Sequence, residues 1–160
     1  MSTDAPIVRP AGETDLAPMA AMAADLVRFH HALDDRRFFL ARGIEAGYRD
    51  WFARELTQPN AILLVAQLGT EIVGYCYGRL EARDWNMLLD RHAALHDVFV
   101  LQAARKHRAG ELLVSAFLDH ARDRGAPRVV LHTATQNHAA QALFAKLGFR
   151  ATMLEMTRDL

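Results

Sequence analysis

The stretch from residue 94 to residue 125 combines an apolar strand, a basic turn and an amphipathic helix in that order. A second apolar strand, residues 128–134, follows almost at once. When a strand, a helix and a second strand of one sheet follow one another, the connection is a right-handed crossover in nearly all proteins, and the two strands are parallel. This stretch therefore predicts one parallel strand pair with a helix packed across it.

The turn before this helix is strongly basic. Its residues are, in order, Arg105, Lys106, His107, Arg108, Ala109 and Gly110. The first turn of a helix leaves backbone N–H groups unpaired and carries the positive end of the helix dipole. Such an end, with cations beside it, suits a phosphate or pyrophosphate. The sequence predicts that this turn holds a small molecule that carries phosphate; a solvated basic turn is the alternative.

The other periodic segments predict a mostly antiparallel sheet around the parallel pair. Residues 61–67 and 71–81 are apolar runs joined by a short turn, which indicates a hairpin. Further strands are predicted over residues 6–10, 95–101 and 149–158, and helices from residue 14 or 15 to about 33 and over residues 44–56, 111–124 and 137–147. The predicted fold is α/β (α+β), a mixed, mostly antiparallel central sheet with one parallel pair and about four flanking helices. The length suits one domain over residues 1–160.

Charge and composition exclude several classes of function. Lys plus Arg and Asp plus Glu both total 19, so the formal net charge is zero, which removes the whole-chain argument for binding nucleic acid or a membrane surface. No apolar run approaches the roughly 20 residues of a membrane span, and residues 1–15 do not resemble a signal peptide. The single Cys76 forms no internal disulfide, as is typical of a reducing compartment. We expect a cytoplasmic protein. No metal site is expected, because the eight histidines show no ligand spacing.

Two motifs about 30 residues apart resemble those of the GNAT superfamily of acyl-CoA-dependent N-acyltransferases. The basic turn is similar to the family's Gln/Arg-x-x-Gly-x-Gly/Ala signature, which opens a helix. The segment NHAAQALFAKLGF, residues 137–149, is similar to the family's late Asn-x-x-Ala helix that ends in Gly-Phe. The order of elements agrees over essentially the whole chain. The resemblance implies acetyl transfer from acetyl-CoA to a primary amine, by direct attack in a ternary complex.

The resemblance also implies where the cosubstrate lies. In this family two parallel strands splay apart, helped by a bulge in the first, and the pantetheine arm pairs with the exposed strand edge. The backbone N–H groups of residues 107–111 would hold the pyrophosphate, and basic side chains would add charge. The residues implied at acetyl-CoA are Val98, Phe99, Val100, Leu101, Arg105, Lys106, His107, Arg108, Ala109, Gly110, Glu111, Asn137 and Phe144.

Two positions depart from the family pattern. Arg108 stands where the family usually has its first glycine; we expect a negative φ and an outward side chain that can fold over the phosphates, whereas a required positive φ would impair binding. Phe144 stands where many members have a tyrosine, the proposed general acid, and it cannot donate a proton. Tyr75 and Tyr77 are remote substitutes. The alternative function is therefore a CoA-binding or regulatory module with weakened catalysis.

Acetyl transfer needs a neutral amine, and hence a base near the strand that precedes the turn. The candidates are Asp97, then His96, then Glu81. Strand alternation predicts that His96 and Asp97 lie on opposite faces, so that one of them faces the cleft. The alternative for each is a polar strand residue that pairs with a neighbour, and His132 is expected to be structural. A strand N–H near Phe99 or Val100 is the candidate donor to the acetyl oxygen.

The acceptor, a small-molecule or peptide amine, is expected over the first two helices and residues 83–92. An acidic and aromatic cluster there suits a cationic amine, although a core stripe beside a solvated turn explains it equally well; its members are Phe29, His30, His31, Asp34, Asp35, Phe38 and Phe39. The loop is unusually apolar, which predicts either part of the acceptor cleft or a homodimer contact; its apolar residues are Trp85, Met87, Leu88 and Leu89.

Overall fold

A five-stranded sheet, with its strands in chain order, forms the centre of the computed structural model, which describes residues 5–160. The strands are β1 (Ile7–Pro10), β2 (Ala61–Leu68), β3 (Glu71–Glu81), β4 (His92–Val100) and β5 (Val129–Leu131). Neighbours from β1 to β4 pair antiparallel, and β4 pairs with β5 in parallel. The predicted mixed sheet with one parallel pair is confirmed.

Four helices cover the two faces of the sheet. They are α1 (Leu16–Leu33), α2 (Ile44–Glu55), α3 (Ala109–Asp123) and α4 (His138–Lys146). On one face, here called the α1–α2 face, Met19 and Phe52 pack against Val65 of β2. On the other, the α3 face, Leu113 and Phe117 pack against side chains of β2, β3 and β4. Within residues 5–160 no helix has the length and apolar character of a membrane span.

A bulge interrupts the pairing of β3 with β4. Tyr77 pairs with Asp97, but the next residue, Gly78, pairs with Leu95. His96 is therefore an extra residue in β4 without a partner opposite. An extra residue shifts the alternation of side chains by one position. The prediction that His96 and Asp97 lie on opposite faces is wrong for this reason, and both lie on the α1–α2 face.

The parallel strands separate directly after this bulge. Their register holds for three pairs, from Ala93 with Val129 to Leu95 with Leu131. Beyond Leu95, β4 continues to Val100 while β5 has ended, so that edge of β4 has no strand beside it. The splayed pair with a bulge in its first strand, which the resemblance implies, is present.

The end of the chain differs from prediction. Residues 149–158, predicted as a strand, form neither helix nor strand, and most of them are exposed. A strand needs a partner ladder, and β5 offers only three residues instead of the seven predicted. The segment is held instead by ion pairs, of Arg36 with Asp159 and of Arg37 with Glu155.

Candidate active site

The first turn of α3 has free backbone donors, and α3 begins two residues before its predicted start at residue 111. The helix begins at Ala109, so the N–H groups of residues 109–111 have no acceptor within it. The Leu112 N–H makes the first bond of the helix, to the Arg108 carbonyl at 3.0 Å. Gly110 lies beside α4, and a Cβ there would be in ordinary van der Waals contact with Leu143, 3.4 Å away.

Arg108 joins a 3-10 turn (Gln102–His107) to α3 with φ 60° and ψ 17°. The predicted negative φ is wrong, because this junction takes the left-handed conformation that glycine adopts freely. The side chain points outward and is 70% exposed, but it binds Glu111, with Nη2 2.5 Å from Oε1. Lys146 of α4 binds the other carboxylate oxygen at 2.7 Å. Hydrogen bonds from Arg108 and then Lys146 lower the pKa of Glu111 to about 2.

The other basic side chains of the turn lie apart from Arg108 and do not share one contact. The Arg105 Nε donates to the Val100 carbonyl at 3.2 Å, so this side chain folds back onto the end of β4. The Leu101 N–H donates to the Val73 carbonyl at 2.9 Å, which holds the same end from the other side. Lys106 and His107 are exposed. The basic turn thus keeps exposed charge while one arginine braces the strand.

A polar atom of the chain just after β5 is buried and, among the described residues, unpaired. The Thr133 hydroxyl oxygen, two residues beyond β5, is buried and has no hydrogen-bond partner within the described residues. Nearby, residues 96–100 leave backbone groups of β4 without a neighbouring strand. The open edge of β4 and the free N–H groups of α3 fit an extended ligand that has amides along its length and phosphate at one end.

The helix after the gap is anchored by its cap. The Ala140 N–H donates to the Asn137 Oδ1 at 3.2 Å, so the predicted N-cap is confirmed. Gln141, which sequence reasoning missed, donates from Nε2 to the Ala134 carbonyl at 2.8 Å and so fixes the loop after β5. The half-buried Phe144 ring lies edge-on to Phe149, with centroids 5.7 Å apart. Its place beside the cosubstrate remains a prediction.

Asp97 lies in a partly buried cluster beneath α2. The Tyr75 hydroxyl donates to its Oδ2 at 3.1 Å. Burial raises the pKa of Asp97 to about 6, and the hydrogen bond from Tyr75 opposes this rise. Burial, and then the charge of Asp97, raise the pKa of Tyr48 of α2 to about 12. Asp97 is therefore a carboxylate near neutral pH, with one oxygen already occupied.

His96 is the more exposed member of the pair, with 46% of its side chain accessible. Its ring stacks on Tyr77, with centroids 5.6 Å apart and planes 24° apart. Its Nε2 lies 3.8 Å from the Glu81 Oε1. Burial lowers the pKa of His96 below its ordinary value and Glu81 opposes this, so the imidazole is neutral at pH 7. The structure therefore brings together all three predicted base candidates.

A buried carboxylate behind Tyr77 was missed by sequence reasoning. Glu55, the last residue of α2, is only 6% exposed. The Tyr77 hydroxyl donates to its Oε2 at 2.7 Å, and the Arg79 Nε lies 3.6 Å from the same oxygen. In the sequence this glutamate has no feature that distinguishes it from the solvent-exposed charges of a helix end.

The predicted acidic and aromatic cluster at the end of α1 is largely self-contained. His30 contacts the rings of Phe29 and Phe38, with centroids 5.5 and 5.0 Å away. The Asp34 carboxylate accepts from the N–H groups of residues 36 and 37. At the β3–β4 connection, Trp85 is exposed and lies under the Arg83 guanidinium at 5.3 Å. Each of these two places has an open cavity, of about 420 Å³ beside residues 31–35 and of about 210 Å³ at the β3–β4 connection.

No group of three or more His, Cys, Asp and Glu residues in the described part of the chain is arranged to hold a metal ion.

Comparison with known proteins identifies the family. The family model described as Acetyltransferase (GNAT) family matches residues 26–149. The chain is also similar to an uncharacterized N-acetyltransferase, YhfO, of Bacillus subtilis (strain 168). These two are 27% identical over 142 residues, which cover 89% of this chain and 88% of that one.

Solved structures share the fold. One is described as a transcriptional regulator from Bacillus halodurans C-125; it has a TM-score of 0.74 and 26% identity, covering 97% of this chain and 99% of that one. Another is AAC(6')-Iy in complex with a bisubstrate analog, CoA-S-monomethyl-acetylneamine, with a TM-score of 0.79, 14% identity and coverage of 98% and 99%. The family match includes both motifs, the basic turn and residues 137–149. The chain thus belongs to the acetyltransferase (GNAT) family and is an acetyl-CoA-dependent acetyltransferase.

Proposed function

We propose that the protein transfers the acetyl group to a primary amine of a small molecule, by direct attack in a ternary complex. The observation that carries this proposal is the bulge in β4. It sets His96 and Asp97 on the α1–α2 face at the point where the open edge of the strand begins. A base and a cosubstrate edge on one strand favour attack without a covalent enzyme intermediate.

The cosubstrate would lie along this edge. Residues 98–101 would bind the amides of the arm, and the N–H groups of residues 107–111 would bind the pyrophosphate. Acetyl-CoA supplies an activated thioester when bound. The N–H of Phe99 or Val100 would donate to the acetyl oxygen as negative charge develops on it.

His96 is the base that we propose. It is neutral at pH 7 and more exposed than Asp97, whose carboxylate already accepts from Tyr75. As the amine nitrogen bonds to the acetyl carbon and the carbon–sulfur bond breaks, the amine proton passes to the imidazole. Asp97 and Glu81 stabilise the resulting positive charge. The thiolate leaves with a pKa of roughly 8.5, so the missing hydroxyl at Phe144 slows this step without preventing it.

A small-molecule amine is the acceptor class that we infer. The AAC(6')-Iy structure, which shares the fold, was determined with an analog that joins CoA to acetylneamine. In this chain, two carboxylates lie beside the proposed base, those of Glu81 and of the adjacent Asp97, and the ring of Tyr77 stacks on it. Carboxylates and aromatic rings at one place favour a cationic amine over a neutral or acidic one.

Thermal unfolding with and without cosubstrate tests this proposal. Acetyl-CoA or CoA at 100 times its Kd raises the free energy of unfolding by about 2.7 kcal/mol. ATP, which shares the nucleotide but lacks the arm, serves as the control and gives a smaller shift. Thiol release is then measured across a panel of amines. The absence of a shift with either form of CoA contradicts the proposal.

A regulatory role that depends on CoA binding, with weakened catalysis, is the second candidate. Phe144 lacks the hydroxyl of many relatives, and the solved structure from Bacillus halodurans C-125 is described as a transcriptional regulator. If CoA stabilises the protein while no amine of the panel leads to release of the CoA thiol from acetyl-CoA, that result favours this second function.

Replacing Arg108 with glycine tests the left-handed turn. Glycine adopts φ 60° without steric cost, so we expect a higher melting temperature than that of the wild type. The Kd for CoA, measured by calorimetry, changes by less than about fivefold, because the exposed side chain already binds Glu111. Arg108→Ala is the matched control, since it removes the same side chain and keeps the strained φ. A large gain in CoA affinity with glycine alone would show that the arginine backbone impairs the site.

A further inference from the structure

Buried Glu55 and Tyr77 neither accept nor donate a proton in the reaction proposed above, yet Tyr77 stacks on His96 and Glu55 accepts from the Tyr77 hydroxyl. We propose that Tyr77, anchored by the carboxylate of Glu55, is a positioning residue that holds the imidazole of His96 toward the acceptor. This inference rests on the proposed role of His96 as the base.

The bulge leaves His96 in need of such a support. An extra residue at a bulge has no residue opposite it in the neighbouring strand, and the ladder alone does not fix its direction. The His96 ring stacks on the face of the Tyr77 ring, with centroids 5.6 Å apart. The Nε2 to Glu81 distance of 3.8 Å exceeds a hydrogen bond. The orientation of the imidazole therefore depends on where the Tyr77 ring lies.

The Tyr77 ring is itself held on several sides. Trp51 meets it edge-on with centroids 4.7 Å apart, and Phe52 lies 6.0 Å away in a similar arrangement. At its tip the hydroxyl donates to Glu55 at 2.7 Å. The side chain is 1% exposed. Tyr77 is consequently a rigid platform for the flexible bulge residue.

Burying the carboxylate of Glu55 at this position costs folding free energy. It is buried at the C-terminal end of α2, where the helix dipole disfavours an anion. The Arg79 guanidinium provides the opposite charge, with its Nε 3.6 Å from the Glu55 Oε2. The Arg79 Nη2 also donates to the Asn60 Oδ1 at 3.2 Å. A well-packed apolar side chain would fill this place at lower cost. The carboxylate contributes something an apolar group cannot, which is a fixed acceptor for the phenol.

The charges around His96 set the direction of the expected pH effect. Glu81 and Arg79 of β3 and His132, just after β5, act on it electrostatically, and burial is the largest influence on its pKa. Removing the Tyr77 ring admits water to the imidazole, which raises the pKa of His96. The rising limb of kcat/KM then moves to higher pH.

The experiment compares Tyr77→Leu, which removes the stacked ring, with Tyr77→Phe, which keeps the ring and removes the bond to Glu55. The pKa of His96 is followed by NMR titration, assigned with His96→Gln, and kcat/KM is measured against pH. We expect Tyr77→Leu to raise the His96 pKa and to lower kcat/KM by about 10- to 100-fold. Tyr77→Phe keeps the pKa and lowers kcat/KM by a smaller factor.

Leu113→Ala is the matched control, because Leu113 is fully buried on the opposite face of the sheet. It lowers the melting temperature as a core truncation does and leaves the His96 titration unchanged. An unchanged His96 pKa in folded Tyr77→Leu, or the same change in Leu113→Ala, overturns the inference. Full activity of Tyr77→Phe would show that the hydrogen bond to Glu55 does not help to position His96. This variant also tests the inference if Tyr77→Leu does not fold. The NMR titration needs no turnover, so failure of the proposed function is recognised separately, by wild-type protein that shows no thiol release.

Discussion

Replacing His96 with glutamine lowers kcat/KM by about 10²- to 10⁴-fold, the range expected for loss of a general base. Glutamine keeps a polar side chain of similar size at the bulge but accepts no proton from the attacking amine. The thermal shift with CoA is unchanged, because His96 lies on the α1–α2 face and the N–H groups that we propose for the pyrophosphate lie at the start of α3. Initial rates of thiol release and the CoA-induced shift measure the two effects separately.

The dependence of kcat/KM on pH is expected to change in a definite direction in the same variant. Burial lowers the pKa of His96, and the imidazole accepts a proton only when the pH is above that value. The kcat/KM of the wild type therefore rises as the pH rises through the His96 pKa and then levels. In His96→Gln this limb is absent, and only the deprotonation of the amine itself still raises the rate at higher pH.

Asp97→Asn is the control for this experiment, because Asp97 is the neighbouring candidate and titrates at about pH 6. Asparagine keeps the shape of the side chain and can still accept from the Tyr75 hydroxyl. Its effect on kcat/KM is smaller than that of His96→Gln, since it removes only the charge that stabilises the imidazolium. The reverse order, with the limb near pH 6 lost in Asp97→Asn alone, would assign the base to Asp97.

The strand, turn and helix of residues 94–125 can be predicted because their signals are local. An apolar run, a basic turn and a 3.6-residue period each lie within a few residues of one another, and their order forces a parallel pair. The N-cap at Asn137 is local in the same sense. The last predicted strand fails because a strand depends on its partner, and the length of β5 is set by the splay of the sheet.

In the candidate site, too, the local features can be predicted from the sequence and the features set by tertiary structure cannot. The residues of the basic turn follow from spacing, whereas the positive φ of Arg108 follows from how a 3-10 turn joins α3. The shared face of His96 and Asp97 depends on one extra residue between β3 and β4, and a bulge is a mismatch between two strands rather than a property of one. The burial of Glu55 is likewise decided by tertiary packing around Tyr77.

Gly78→Ala destabilises the protein by about 3 kcal/mol or more, the upper range for overpacking a core. A Cβ at this position would lie 2.2 Å from the Ala94 carbonyl oxygen and 2.5 Å from the Phe117 ring. The first contact is with backbone, which a rotamer change cannot relieve. Gly78 pairs with Leu95, next to the bulge residue His96, so β3 and β4 must move apart there, and we expect thiol release by the folded fraction to fall as well.

Gly47→Ala is the matched control, since a Cβ there meets no atom within 4 Å. Gly47 lies inside α2, where alanine is favoured over glycine by about 1 kcal/mol, so this variant is expected to gain stability. Urea unfolding followed by circular dichroism measures both free energies. A Gly78→Ala protein as stable as the wild type would mean that β3 and β4 approach less closely at the bulge, and the support of His96 by Tyr77 would lose its basis. A lower free energy of unfolding in Gly78→Ala, together with a higher one in Gly47→Ala, would show that the effect comes from the close approach of the two strands and not from the removal of a glycine.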